Sequence, residues 1–179
     1  MESYKFSPIE NKERLLEAIK YTHFKCFELC KKTLGRYLPV AGNIGIFCHY
    51  DDEYRFLTEL REQLTKESDN WQQKYYRLYE PVTIPAQGNV PDTIYTYLYI
   101  RKPDDQHKEM GDVDFVLDKK EYLELKNSLL RGKEIKGIKI FDRPGLDLIK
   151  LFDSDIDALS FIGTKNMAEN VKARISQIN

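Results

Sequence analysis

The chain has 179 residues, of which 41% are hydrophobic and 32% charged, and its formal net charge is −1. These proportions are typical of a folded globular protein, and a charge near zero gives no overall field that attracts nucleic acid or an anionic membrane. No apolar run approaches the ~20 residues that a membrane span needs. The sequence therefore predicts one domain over residues 1–179, with neither a nucleic-acid nor a membrane partner.

The N-terminal residues and the cysteines predict the cellular compartment. The opening residues, MESYKFSPIENKERL, lack the apolar segment of a secretory signal. The chain has three cysteines, and an odd number favours free thiols in a reducing compartment. We therefore expect a cytoplasmic protein.

A long amphipathic helix is predicted over residues 10–34. Apolar, thiol and imidazole side chains recur there at spacings of three and four residues, which places them on one helical face. Gly35 is suited to end the helix, because glycine readily adopts the left-handed conformation of a C-cap. The stripe consists of Leu15, Ile19, His23, Cys26 and Cys30.

Residues 43–101 are predicted to form a first unit of strand, helix, strand and strand. The apolar segment 43–50 predicts a buried strand, and Asp51 or Asp52 is suited to cap the helix that follows. The two strands that complete the unit are predicted at 75–84 and 93–101.

Residues 111–162 are predicted to form a second unit of the same kind. Val113, Phe115 and Leu117 occupy alternate positions, which predicts a strand with one buried face, and a helix follows over 119–130. Further strands are predicted at 138–141, 146–152 and 158–162, and a C-terminal helix at 164–178.

The two units loosely repeat each other, and this repeat predicts the fold class. Their helices carry the same dipeptide near the start, Glu53-Tyr54 and Glu121-Tyr122. Two sheets of this kind must bury their inner faces against other elements. We therefore expect an α+β fold: two βαββ-like units forming a mixed or antiparallel sheet, with long N-terminal and C-terminal helices.

The second unit resembles half of a vicinal-oxygen-chelate protein, the superfamily of glyoxalase I and the bleomycin-resistance proteins. The strand GDVDFVLD is followed directly by a helix that ends in Leu-Leu-Arg-Gly. The segment IFDRPGLDLIKLFD then resembles the ending common in that family, with Arg143-Pro144-Gly145 at the turn. The resemblance covers about residues 111–152, and the first unit shares only the pattern of elements.

The resemblance implies a sheet that cups a cavity, and in the family a divalent metal is held there by side chains from both units. Carried over to this chain, the metal positions fall on Asn43, Tyr97 or Tyr99, Asp112 and Lys150. Lys150 replaces a glutamate, and an ammonium group cannot ligate a cation. We therefore expect the family's metal chemistry to be absent, which leaves the metal-free binding of the drug-sequestering branch.

A stripe of tyrosines is the main candidate for a ligand site. Alternation along a strand puts Tyr95, Tyr97 and Tyr99 on one face. With neighbouring arginines, these rings are suited to a planar or anionic ligand. The alternative is that the tyrosines only stabilise the sheet through cross-strand contacts. The full candidate set is Tyr75, Arg77, Tyr79, Tyr95, Tyr97, Tyr99 and Arg101.

A second set of residues is suited to zinc or to cysteine chemistry. Thiolates and imidazoles bind zinc, and a Cys/His pair can supply a nucleophile and its base. The same residues also fit a buried core, since free cysteine is among the most buried residue types. The set is His23, Cys26, Cys30, Cys48 and His49.

Asp112 and Asp114 are a third candidate. Both point to the strand face opposite Val113 and Phe115. If that face is a cavity, one carboxylate is placed to act as a general base; if it is solvent-exposed, both are ordinary surface charges.

We expect a non-enzymatic module that binds a small ligand or a protein partner, without a cofactor. An enzyme using the His/Cys set, with zinc as its alternative cofactor, and a structural protein that oligomerises, for example as a homodimer, are the open alternatives.

Overall fold

The computed structural model describes residues 4–66, 75–143 and 146–165. This part of the chain forms three helices and seven strands. No described helix is both long and apolar enough to cross a membrane. In chain order the elements are α1 (Lys12–Leu34), β1 (Val40–Phe47), α2 (Asp51–Leu64), β2 (Tyr75–Ile84), β3 (Thr93–Arg101), β4 (Gly111–Leu117), α3 (Lys119–Leu130), β5 (Ile138–Arg143), β6 (Leu146–Leu151) and β7 (Leu159–Thr164).

The strands form one mixed sheet in the order β2-β3-β1-β4-β7-β6-β5, and the fold is α+β. In the first unit β1 pairs in parallel with β3, and in the second β4 pairs in parallel with β7. The two units meet where β1 and β4 pair antiparallel at the middle of the sheet. Both units thus place their first strand beside their last, while their origin by duplication stays a prediction.

The ends of α1 and α3 follow from their capping residues. The Asn11 side chain accepts a hydrogen bond from the Arg14 backbone N–H at the start of α1, and Gly35 ends the helix at φ 72°. At the start of α3, the Asp118 side chain accepts one from the Glu121 N–H. The predicted N-terminal helix is therefore present as α1, whereas the predicted helix at 164–178 and the turn at 143–145 fall mostly outside the described residues.

All three described helices pack on the same face of the sheet. Leu15 of α1, Leu57 of α2 and Tyr122 of α3 belong to one buried cluster with Val113 of β4 and Ile149 of β6. Burying each large apolar side chain contributes roughly 1.5–3 kcal/mol to folding. This cluster is the core that holds the sheet in place.

The first strand begins and ends earlier than the sequence predicts. β1 spans Val40–Phe47 rather than 43–50. The Glu53 carboxylate accepts hydrogen bonds from the backbone N–H groups of both His49 and Ile9. These bonds turn the chain out of the sheet before α2, so residues 48–50 serve as a connection.

Candidate functional site

The sheet face opposite the helices carries polar and aromatic side chains. The side chains of β4 identify the two faces of the sheet. A Cβ at Gly111 would lie 3.0 Å from Thr22 Cγ2 of α1, so Gly111 is on the helix-covered face. Because side chains alternate along a strand, Asp112 and Asp114 point to the opposite face. We call this surface the polar face and define it by Asn43, Tyr75, Tyr97, Tyr99, Asp112 and Asp114.

Asp112 lies at the middle of the polar face and is 6% exposed. Its carboxyl group extends over Gly45 of the neighbouring strand, where a Cβ would overlap Asp112 Oδ1 and approach Tyr99 Cδ1 to 3.2 Å. Gly45 thus provides the space that the carboxyl group fills. Among the described residues, Asp112 Oδ1 is a buried oxygen without a hydrogen-bond donor, while the Gly45 backbone N–H interacts with the carboxyl group as a whole.

Burial and a like charge make Asp112 a weak acid. Loss of solvent and, to a smaller extent, the like charge of the neighbouring Asp114 raise the pKa of its carboxyl group from 3.8 to about 8. Arg101, the Gly45 backbone N–H and Lys150 act in the opposite direction. At neutral pH the group is therefore mostly protonated and can donate a hydrogen bond.

Asp114 has different surroundings, because two donors reach one of its oxygens. Asn43 Nδ2 donates to Asp114 Oδ2 at 2.7 Å, and the Tyr75 hydroxyl donates to the same oxygen at 3.4 Å. Burial raises the pKa of Tyr75 well above its usual value, so its hydroxyl keeps its proton. The polar face thus combines a carboxyl group held by donors with one that has an unpaired oxygen.

Aromatic rings flank the two carboxyl groups. The Tyr75 and Tyr99 rings lie 5.5 Å apart, and Tyr97 and Tyr99 are only 5% and 8% exposed. On the other side of β4, Phe161 of β7 pairs in register with Asp114 and contacts Phe141 at 5.2 Å between ring centroids. Both carboxyl groups therefore lie in a largely apolar surface.

The structure divides the predicted tyrosine stripe, and the prediction that Tyr95 shares a face with Tyr97 and Tyr99 is wrong. The Tyr95 hydroxyl lies 2.8 Å from His23 Nδ1 on α1, and Tyr95 belongs to the helix-covered core. The β2–β3 pairing is irregular beside Tyr95, since the register shifts between Arg77 and Val82. Irregularities of this kind re-aim side chains locally.

The remaining members of the predicted ligand set differ in their surroundings. Tyr79 is 60% exposed, and Arg77 is exposed beside Tyr97, its partner in register. Arg101 is held by Asp104, which accepts from Nε at 3.0 Å and from Nη2 at 2.8 Å. Its guanidinium also lies 5.1 Å from the Phe47 ring centroid. Of this set, Tyr75, Tyr97 and Tyr99 therefore belong to the polar face proper.

The cysteines of the predicted zinc set are buried, and two of them form hydrogen bonds to backbone carbonyl groups. Cys26 donates its thiol hydrogen to the Leu159 carbonyl and Cys30 donates to the Arg36 carbonyl. Burial raises the pKa of all three thiols, that of Cys30 to about 11. Zinc and nucleophilic chemistry need thiolates, so these cysteines fit either role poorly.

The histidines of that set are also held by other partners. Burial lowers the pKa of His23 to about 4. His49 bonds Ser7 Oγ at 2.7 Å through Nδ1 and the Lys108 carbonyl at 3.2 Å through Nε2. Within the described residues, no three or more His, Cys, Asp or Glu side chains come together as metal ligands.

The positions carried over from the vicinal-oxygen-chelate resemblance are partly brought together. Asn43, Tyr97, Tyr99 and Asp112 lie on adjacent strands of the polar face. Lys150 lies on the third strand of its unit, and the fourth strand is β7, where Phe161 pairs with it in register. The residue of β7 that pairs with Asp114 of β4 is thus Phe161, and a phenyl ring is not a metal ligand.

Sequence reasoning missed the role of Gly45. An isolated glycine inside a strand often marks a close approach of another group, and this was the available signal. It also missed Phe161, because the strand that carries this residue follows the segment of family resemblance.

Comparison with known proteins identifies no family. No family model matches the chain, and no curated protein matches it. Two solved structures show a distant likeness, both of single-substitution variants of Streptomyces coelicolor methylmalonyl-CoA epimerase in complex with 2-nitronate-propionyl-CoA. Their sequence identities are 14% and 12% and their TM-scores 0.31 and 0.29, and each alignment covers 70% of this chain and 98% of the epimerase chain. Likeness at this level carries no conclusion about the ligand or activity of this chain.

Proposed function

We propose that the protein binds a small organic molecule on the polar face, as a binding module that needs no metal. The observation that carries the proposal is the buried Asp112 oxygen without a described partner, positioned over Gly45. An unpaired buried polar atom costs roughly 1–3 kcal/mol, and a ligand that pairs with it recovers this free energy. Ligand sites combine apolar walls with a few such polar groups.

The surroundings of Asp112 favour a ligand with a hydrogen-bond acceptor beside a flat apolar body. A protonated Asp112 donates to a carbonyl, carboxylate or phosphate oxygen. The Tyr99 and Phe161 rings on either side offer apolar contact. Asp114 is already engaged by Asn43 and serves to hold the site in shape.

The test is a fragment screen by nuclear magnetic resonance, followed by affinity measurements from pH 6 to 9.5. We expect bound fragments to shift the amide resonances of β1, β3 and β4. Affinity should fall above pH 8 in the wild type, because ionised Asp112 no longer donates. The Asp112→Asn variant keeps a donor at every pH, so its affinity should not fall.

Two further variants complete the test. Asp112→Leu removes the donor and should weaken binding by ~10-fold, which corresponds to one lost hydrogen bond. Asp105→Asn is the matched control, since Asp105 is exposed in the connection between β3 and β4 and is not one of the residues that define the polar face. A fragment that binds Asp112→Leu as tightly as wild type, or shifts resonances only on the helix-covered side, contradicts the proposal.

Catalysis at the His/Cys set is the less supported alternative, because buried thiols with raised pKa values are poor nucleophiles. Zinc binding by the same set stays a prediction that elemental analysis of the purified protein decides. Homodimer formation likewise stays a prediction, and light scattering decides it.

A further inference from the structure

Two lysines lie side by side at one end of the polar face. Lys139 of β5 and Lys150 of β6 are direct partners in an antiparallel pair. Their neighbours Ile138 and Leu151 belong to the helix-covered core, so both lysines point to the opposite face. Like charges directly opposite each other on two strands destabilise the pair. Such an arrangement is explained when an anion lies between the two ammonium groups.

Lys150 is the more informative of the two. Lys139 is exposed on an edge strand, where a lysine also serves to prevent pairing with another sheet. Lys150 is half-buried on the inner strand β6, where this explanation does not apply. Among the described residues, neither lysine forms an ion pair within 4.0 Å of a carboxylate, although Glu109 and Asp112 both act electrostatically on Lys150.

Neither lysine is in an ion pair with the charged groups described on this side, although Lys139 Nζ lies 5.1 Å from the Phe152 ring centroid. Arg101 is occupied by Asp104. Asp112 is mostly protonated at neutral pH, so it offers little negative charge to Lys150. Burial and, to a smaller extent, Lys139 and Arg101 lower the pKa of Lys150, while Glu109 and Asp112 act in the opposite direction.

The lysine pair is in register with Asp114, the neighbour of Asp112 on the polar face. Lys150 pairs with Phe161, and Phe161 pairs with Asp114. Two strand spacings of about 4.8 Å separate β6 from β4, a distance that a small aromatic acid can span. The phenyl ring of Phe161 lies between, where the apolar body of such a ligand would rest.

We propose that Lys139 and Lys150 form an anion subsite, and that the ligand of the polar face is a small organic anion whose carboxylate or phosphate group binds between them. The inference rests on the proposed function and names the chemical class of its ligand. The apolar body lies over Phe161, and a second acceptor on the ligand receives the hydrogen bond of Asp112.

The test compares probes that differ in charge but share one ring: benzoate, phenyl phosphate and the neutral benzamide, each titrated into the full-length protein by calorimetry and nuclear magnetic resonance. We expect the anionic probes to bind at least ~10-fold more tightly than benzamide, the value of one charge-assisted hydrogen bond. Tighter binding of benzoate than of phenyl phosphate would indicate a carboxylate ligand, and the reverse order would indicate a phosphate ligand.

Lys150→Gln should remove most of this preference and Lys139→Gln part of it, with benzamide binding unchanged. Lys20→Gln is the matched control, because Lys20 is an exposed lysine of α1 on the other side of the sheet. All three positions are exposed or half-buried, so the variants are expected to fold.

The outcomes separate the two proposals. If benzamide binds as tightly as benzoate on the polar face, or if Lys150→Gln leaves the preference intact, the anion subsite is refuted while the proposed ligand site stands. If the wider fragment screen also shows no molecule on the polar face, the proposed function fails as well. If Lys20→Gln loses the preference for anionic probes to the same extent, the preference reflects general charge attraction, and the subsite is also refuted.

Discussion

Replacing Asp112 by Asn should remove a large part of the pH dependence of folding stability. The pKa of Asp112 is about 8 in the folded protein and 3.8 without its surroundings. Below pH 4 both states are protonated, and the group costs the folded state nothing. Between pH 4 and pH 8 the unfolded chain ionises while the folded protein keeps its proton, so stability falls as pH rises; above pH 8 the cost is complete.

The magnitude follows from the size of the shift. Each pH unit in this window lowers the free energy of unfolding by about 1.4 kcal/mol. From pH 5 to pH 7 the wild type should therefore lose about 3 kcal/mol relative to Asp112→Asn. Asparagine has nearly the same shape and does not ionise, so it fits the space over Gly45 at any pH.

Urea denaturation of both proteins at pH 5, 6, 7 and 8 measures the difference. The pKa of Asp157 is also raised by burial, to about 6, but Asp157 is present in both proteins and its effect cancels. Asp105→Asn serves as the control for a simple loss of charge. If the difference between wild type and Asp112→Asn stays constant from pH 5 to pH 8, Asp112 is not held as a buried acid and the reasoning fails.

Three further outcomes follow from the described contacts. Gly45→Ala should destabilise the protein by about 1–3 kcal/mol in urea denaturation, because the added Cβ overlaps Asp112 Oδ1. The double variant with Asp112→Ala should recover part of this loss, because the smaller side chain leaves room for the Cβ. If the effects of the two substitutions add fully, the contact is contradicted. Tyr95→Phe should cost about 1–3 kcal/mol by the same assay, since it leaves His23 Nδ1 buried without its partner; an unchanged midpoint would show that the bond contributes nothing. The three cysteines should react with an aromatic disulfide reagent only as the protein unfolds, because burial raises all three thiol pKa values; rapid labelling of the native protein would overturn this assignment.

Local sequence patterns predicted those elements whose signals are local. The spacing of apolar residues in α1 and its Gly35 C-cap mark a helix without reference to the rest of the chain. Alternation in β4 likewise predicted that Asp112 and Asp114 share a face. Both features depend on the period of a single element, and the sequence displays that period directly.

The errors concern how separate elements meet. Tyr95 faces the core beside an irregularity in the β2–β3 pairing, and a run of alternating tyrosines carries no sign of this. Pro81 was a hint, since proline donates no ladder hydrogen bond and is found in strands at edges or irregularities. The contact of Gly45 with Asp112 joins residues far apart in sequence, so only the paired sheet displays it.

The antiparallel pairing of β1 with β4 builds the polar face from residues of both units. Gly45 belongs to the first unit and Asp112 to the second, so neither half contains the site. A molecule bound there touches both halves and stabilises their association by its own binding free energy, about 2.7 kcal/mol at a concentration 100 times its Kd. Two fragments separated within the linker at 102–110 would therefore reassemble more readily with ligand than without it. On the proposed function, the two halves are therefore suited to a split sensor in which ligand binding promotes their association.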